Sequence, residues 1–246
     1  MSDPVLSLED ICVRYGRGAR RFDVLSGVDL TVQAGEVVGL RGPSGCGKST
    51  LLRVITTTER PTSGTVRLGG TPVDGPRRDG FVMPIGQNAS AALDPRWPLW
   101  RSITEPLTAP YRGLHLSRDD RRRIARERLH EVGLDGVDVE ALPSRLSGGQ
   151  RQRVVILRAL TAAPRLIVAD EPTSALDVSV AAGVLNLLAQ TAASGTAIVV
   201  ASHDRAALDV LCDRVFEVQG GRLAAVGGAD HTDSSVGQLA PAGPSV

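Results

Sequence analysis

The chain has few cysteines, no dominant charge and no long apolar run, and each shortage removes a class of answer. Cys12, Cys46 and Cys212 are odd in number and scattered, so they make no disulfide framework. Reduced thiols fit a cytosolic protein. The 28 lysines and arginines are offset by 27 aspartates and glutamates, leaving a formal net charge of +1. Bulk electrostatics therefore give no argument for nucleic acid or for an acidic partner. No apolar stretch approaches the roughly 18 residues needed to span a bilayer. The opening MSDPVLSLED lacks a signal-peptide pattern. The expectation is a soluble protein, so that any membrane role must come through a partner. There is no internal repeat, and 246 residues lie within reach of one large domain with an ample core.

What is present is alternation. Val5–Val13 and Val24–Val32 alternate apolar and polar residues and read as two antiparallel strands. Glu36–Leu40, Thr65–Leu68 and Phe81–Ile85 read as further short strands, with a helix from Ser49 to Ile55. Pro84 cannot donate to a ladder and belongs near a strand end. From Asn88 to about Arg145 the segment reads as helices joined by proline-containing turns. Ser117-Arg-Asp-Asp120 has the form of a capping box opening a helix with Ile124, Ala125, Leu129 and Val132 on one face. After Gln150, helix and strand alternate: a helix to about Ala162, strand Leu166–Ala169, helix Val178–Ala192 and strand Thr196–Ala201. That order implies an α/β fold with a mainly parallel sheet and nucleotide at the carboxyl ends of its strands. The tail 229–246, rich in Gly, Ala, Ser and Pro, reads as disordered.

Two glycine-rich turns each feed a helix, Gly42–Thr50 (GPSGCGKST) and Leu146–Arg153 (LSGGQRQR). Such turns aim several backbone N–H groups at one anion, and the helix N-terminus adds partial positive charge. One cradle suffices for most nucleotide sites, so two suggest a phosphate gripped from both sides by two copies. Gly42-Pro43-Ser44-Gly45-Cys46-Gly47-Lys48-Ser49 satisfies the phosphate-loop pattern in its strand-loop-helix setting. Lys48 is placed to reach the β- and γ-phosphates, Ser49 to coordinate Mg²⁺, and Thr50 continues the helix. Leu166–Glu171 is a strand delivering two carboxylates to its end. Asp170 is placed to hold the Mg²⁺ shell and Glu171 to orient or deprotonate water. Two solvated acids capping a helix is the competing reading, poor for both residues after an apolar strand.

These motifs, in this order, resemble the ATP-binding cassette (ABC) ATPases over about Val5 to Gly228. The resemblance implies a P-loop NTPase core with an antiparallel β subdomain and a helical subdomain inserted at about 88–149. It implies ATP and Mg²⁺ as ligands and a second cassette subunit as partner. Further site roles follow from it alone. Tyr15, ending the first strand, would stack on adenine, against the rival reading of a ring packed at a sheet edge. Gln87 would sense Mg²⁺ and water, and His203 would face the γ-phosphate. Ser147, Gly148, Gly149 and Gln150 would contact ATP held by the opposite subunit, with Asp177 along the seam. Within the family, Pro143–Arg153, Asp170–Val180, Ala89–Arg96 and Glu105-Pro-Leu107 are similar to the ATPases of peptide, oligopeptide and nickel importers. That implies integral membrane permease subunits, indirectly a solute-binding protein, and a place on the cytoplasmic face of the membrane. A soluble cassette serving a non-transport enzyme assembly is the alternative.

Two stretches stay outside these motifs. Arg118–Arg128 contains six arginines interleaved with Asp119, Asp120, Glu127 and, just beyond, Glu131, which reads as a solvated helix face rather than a nucleic-acid site. Trp97 and Trp100, the only tryptophans, follow Gln87 closely. In the resembled importers this region receives a short helix of the membrane subunit. Packing inside the helical subdomain is the other reading.

Overall fold

Alternating apolar residues build the first sheet. A computed structural model describes residues 3–16, 18–76, 79–109, 112 and 114–226. In it β1 (Leu6–Tyr15) and β2 (Phe22–Val32) pair antiparallel, burying Leu6, Leu8, Leu30 and Val32. Then come β3 (Val37–Arg41), α1 (Lys48–Ile55), β4 (Ser63–Leu68) and β5 (Thr71–Pro72). This first sheet runs β2-β1-β4-β5.

The second sheet has a different texture. β6 (Val82–Ile85) leads into α2 (Ala89–Ala92), α3 (Leu99–Thr104), α4 (Arg118–Glu131) and α5 (Gly148–Thr161). The chain then makes β7 (Leu166–Asp170), α6 (Val178–Ala193), β8 (Ala197–Ala201), α7 (Arg205–Leu211), β9 (Arg214–Gln219) and β10 (Arg222–Val226). The order is β10-β9-β3-β8-β7-β6, parallel except for β10. β3, β7 and β8 are apolar and buried almost throughout, as strands covered on both faces must be. Their two-residue period splits the core. Ile167, Ala169, Ile198 and Val200 join the cluster under the helices, whereas Leu166, Val168, Ala197 and Val199 join the one shared with β1, β2 and α1.

The α/β reading, with its antiparallel sheet and run of helices, therefore stands. Pro84 is the third of four residues in β6, an edge strand, so its missing N–H breaks no second ladder. The Ser117–Asp120 capping box is formed, and Ala125 and Leu129 are buried beneath α4. Its outer arginines pair within the helix, Arg123 with Glu127 at 3.0 Å and Arg128 with Glu131 at 2.8 Å. Three elements after Asp204 are absent from the sequence-based reading. α7 packs near β3, and β9 and β10 extend the sheet as a hairpin turning at Gly220-Gly221, whose φ values are 55° and 76°. The tail 229–246 lies outside the described residues.

The two tryptophans part company. Trp100 is 8% exposed, in the buried cluster that also holds Ile103 and Leu129, and its Nε1 donates to Glu140 Oε2 at 3.1 Å. Trp97 is half-buried at the rim of a cavity of 180 Å³ with Glu105 and Arg158, its ring 4.0 Å from the Arg101 guanidinium.

Candidate active site

β3 ends at Arg41, and the chain turns through 42–47 into α1. Two glycines are required there by close approach. A Cβ on Gly42 (φ 149°) would lie 2.6 Å from the Val218 carbonyl oxygen, and one on Gly47 (φ 111°) 2.9 Å from that of Val24. Any side chain would force the loop off β2 and β9. Lys48 Nζ donates to the carbonyl oxygens of Gly42 at 2.6 Å and Pro43 at 3.0 Å, which lays the ammonium across its own loop.

The strand ends supply the acids. Ser49 Oγ donates to Asp170 Oδ2 at 3.3 Å, joining α1 to β7. Burial pushes the Asp170 carboxyl above the usual aspartate range, partly opposed by the Ser49 hydrogen bond and by Lys48. Glu171 has a φ of 50°, left-handed backbone that a non-glycine residue adopts at a cost of about 1–3 kcal/mol. Its N–H donates to the Ala201 carbonyl at 2.9 Å, which fixes the turn against β8. The carboxylate then accepts from the His203 N–H at 3.0 Å and Ser202 Oγ at 3.3 Å, with His203 Nδ1 at 2.9 Å. That hydrogen bond, together with the Glu171 charge, raises the His203 pKa above its ordinary 6.5. The raised value means the charged pairing is complete below pH about 6.5 and is lost as pH climbs through the raised pKa.

One cavity of 650 Å³ gathers Tyr15, Lys48, Gln87, Asp170, Glu171 and His203 around the loop. Of the stretch 42–50 only Cys46 does not line it. Gln87 is exposed just beyond β6. Asn88 beside it caps α2, accepting from the N–H groups of Ser90 and Ala91 at 3.1 and 3.2 Å. Tyr15 ends β1, its hydroxyl bonded to Glu59 and, at 3.3 Å, to Arg53.

The other predicted residues stand apart. Ser147 caps α5 and Gln150 closes its capping box, but none of Ser147, Gly148, Gly149, Gln150 and Asp177 lines the cavity. Gly149 instead abuts the segment before Asp177, since a Cβ on it would lie 3.3 Å from the Ala175 carbonyl. Asp177 occupies the N-cap of α6 without bonding to it and is exposed, so capping does not account for its side chain.

Two residues escaped the sequence reading. Phe22 is 57% exposed on the cavity wall, its ring 6.1 Å from that of Tyr15, its cross-strand partner. Gln152 is 2% exposed, and its amide donates to the Pro172 carbonyl at 3.2 Å and that of Gly86 at 3.4 Å. It ties α5 to the backbone just after Glu171 and just before Gln87. A signal was there, because Gln152 shares the buried stripe of Val155, Ile156 and Ala159 at helical spacing.

The sequence model of the ABC transporter family matches residues 25–174. This chain belongs to that family. The cassette is 36% identical over 239 residues to the probable D,D-dipeptide transport ATP-binding protein DdpF of Escherichia coli (strain K12), covering 94% of this chain and 74% of the relative. It is 41% identical over 212 residues to the nickel import ATP-binding protein NikE of Pseudomonas putida, covering 82% of this chain and 76% of that one. A solved dimeric ATP-binding cassette, MJ0796 in a post-hydrolysis state with ADP and Pi, matches with a TM-score of 0.81 and 30% identity, over 89% of this chain and 96% of that one. The cassette is accordingly a nucleotide-binding ATPase of the ABC type.

Proposed function

We propose that this cassette is the ATP-hydrolysing subunit of an importer for a small solute of the peptide, oligopeptide or nickel class. The names of the dipeptide and nickel relatives support that class. The observation that carries the two-subunit mechanism is the division of the site. Lys48, Gln87, Asp170, Glu171 and His203 share one cavity, whereas Ser147–Gln150 and Asp177 lie outside it. A second copy or a homologous cassette completes it, presenting Ser147, Gly148 and Gly149 to the γ-phosphate with Asp177 along the seam. Residues 1–228 act as one ATPase domain, the helical subdomain inserted at about 88–149.

Each residue then has a task. Lys48 and the 42–50 loop bind the phosphates, and Tyr15 stacks on adenine. Glu171 orients or deprotonates the attacking water, and His203 lies against the γ-phosphate. Ser49 and Asp170 offer a hydroxyl and a carboxylate, hard oxygen donors that suit Mg²⁺, with Gln87 beside them. The half-buried Asp170 charge is one that a cation would offset. Bound there, Mg²⁺ neutralises phosphate charge.

Among the described residues no helix is long and apolar enough to cross a membrane. Attachment at the cytoplasmic face falls to integral permease subunits, which a solute-binding protein serves from outside. Purifying this chain from its native membrane should bring down integral membrane proteins and a cassette partner. Recovery with soluble enzyme subunits alone would move the function to a non-transport assembly.

Adenine stacking has its own test. Base–aromatic stacking is worth about 1–3 kcal/mol, so Tyr15→Ala should weaken ATP binding roughly tenfold or more. Tyr15→Phe keeps the ring and drops only the hydroxyl contacts to Glu59 and Arg53, so it should bind nearly as the parent does. Unchanged ATP affinity in Tyr15→Ala would return Tyr15 to a sheet-edge packing role.

A further inference from the structure

The arginines of α4 do not all face solvent as paired charges. Three of their guanidinium carbons converge on one indole, with Arg121 4.8 Å, Arg122 5.7 Å and Arg118 6.0 Å from the Trp100 ring centroid. With Arg101 and Glu140 they line a cavity of 490 Å³. Four cations therefore meet one carboxylate, and that carboxylate is already engaged. Glu140 Oε1 accepts from Arg122 Nε at 2.5 Å and its Oε2 from Trp100 Nε1 at 3.1 Å. Asp119 also accepts from Arg122, at 3.2 Å.

The other three cations lack a carboxylate within ion-pair distance among the described residues. Arg121 is anchored by donating from Nε to Thr104 Oγ1 at 2.8 Å and from Nη2 to the Arg101 carbonyl at 3.2 Å. Its Nη1 and the Arg118 fork are left for an outside acceptor. Burial, then the like charge of Arg101, lowers the Arg121 pKa, so the local environment disfavours the cation as it stands. An anion with several oxygens relieves that repulsion. Arginine forks match phosphate geometry with paired N–H donors.

We propose that this pocket binds a phosphate group, carried either by a small phosphate ester or by the headgroup of an anionic lipid. The site lies beside Trp100, outside the 650 Å³ nucleotide cavity and lined by none of the same residues.

Because Trp97 and Trp100 are the only tryptophans, indole emission is a local reporter. The full chain carrying Trp97→Phe leaves Trp100 as the sole emitter, and Lys48→Ala weakens the competing phosphate loop. Glycerol 3-phosphate and phosphatidylglycerol vesicles, with phosphatidylcholine vesicles as control, serve as probes. A saturable emission change is expected with one of the two anionic probes. Saturation by glycerol 3-phosphate assigns a soluble ester, whereas a response to phosphatidylglycerol vesicles alone assigns a lipid headgroup. Adding Arg118→Gln and Arg121→Gln should weaken the response about tenfold or more, since hydrogen bonds to charged groups are lost. Arg118→Gln alone, at an exposed side chain, should weaken it in the same direction without lowering the melting temperature. No saturable change with either anionic probe, or equal affinity in the arginine variants, would overturn the site.

Discussion

Glu171→Gln should bind MgATP as the parent does, hydrolyse it about a hundredfold more slowly or worse, and accumulate as a dimer only when ATP is present. A positioned general base contributes roughly 10²–10⁴-fold, which sets that loss. The amide is nearly isosteric: its oxygen can still accept from the His203 N–H, while its NH2, in place of the second carboxylate oxygen, can donate to Ser202 Oγ. What it lacks is a basic lone pair for the water. The γ-phosphate therefore stays intact, and the Ser147–Gln150 turn of the opposite subunit keeps its ligand. Lys48→Ala should fail earlier, at binding, because a charge aimed at the phosphates is gone. Turnover, nucleotide affinity and particle size, each with and without ATP, separate the two variants. Full turnover in Glu171→Gln would remove Glu171 from the chemistry.

Much of this arrangement is written in local pattern. The 42–50 loop is legible because its glycines and Lys48 sit between an apolar strand and a helix start. The Leu146–Arg153 turn is legible because its paired glycines feed a helix, and the structure adds a Ser147–Gln150 capping box at that helix start. Strands β3, β7 and β8 are legible as apolar runs. Strand order is a different matter. Glu171 and His203 meet only because β7 lies beside β8, and 32 residues separate them in sequence. No local periodicity records that neighbour relation, so their contact was not legible in the sequence. The left-handed turn at Glu171 is likewise invisible, since glutamate gives no hint of a positive φ. Phe22 faces Tyr15 through hairpin register, which irregular pairing across β1 and β2 obscures.

Trp100→Ala should lower the melting temperature of the isolated cassette steeply, whereas Trp97→Ala should leave it almost unchanged. Truncating a buried tryptophan costs about 3–5 kcal/mol. For a domain of this size each kcal/mol is worth roughly 2–4 °C, so a fall on the order of 6–20 °C follows. Several partners lose the ring together. It belongs to the same buried cluster as Ile103 and Leu129, its Nε1 bonds Glu140, and three guanidiniums lie within 6.0 Å of its centroid. Trp97 has far less to lose, being half-buried at a small cavity with its ring under Arg101. A large rigid aromatic left at the surface is the kind of side chain that concentrates binding energy. Trp97→Ala should therefore fold and bind ATP normally yet assemble poorly with the permease, losing transport-coupled turnover. Thermal melts of the lone subunit, set beside pull-down of the membrane partner, measure both effects. Normal docking by a Trp97→Ala cassette would end its role at the join, and a Trp100→Ala subunit that melts like the parent would contradict the packing described for α3 and α4.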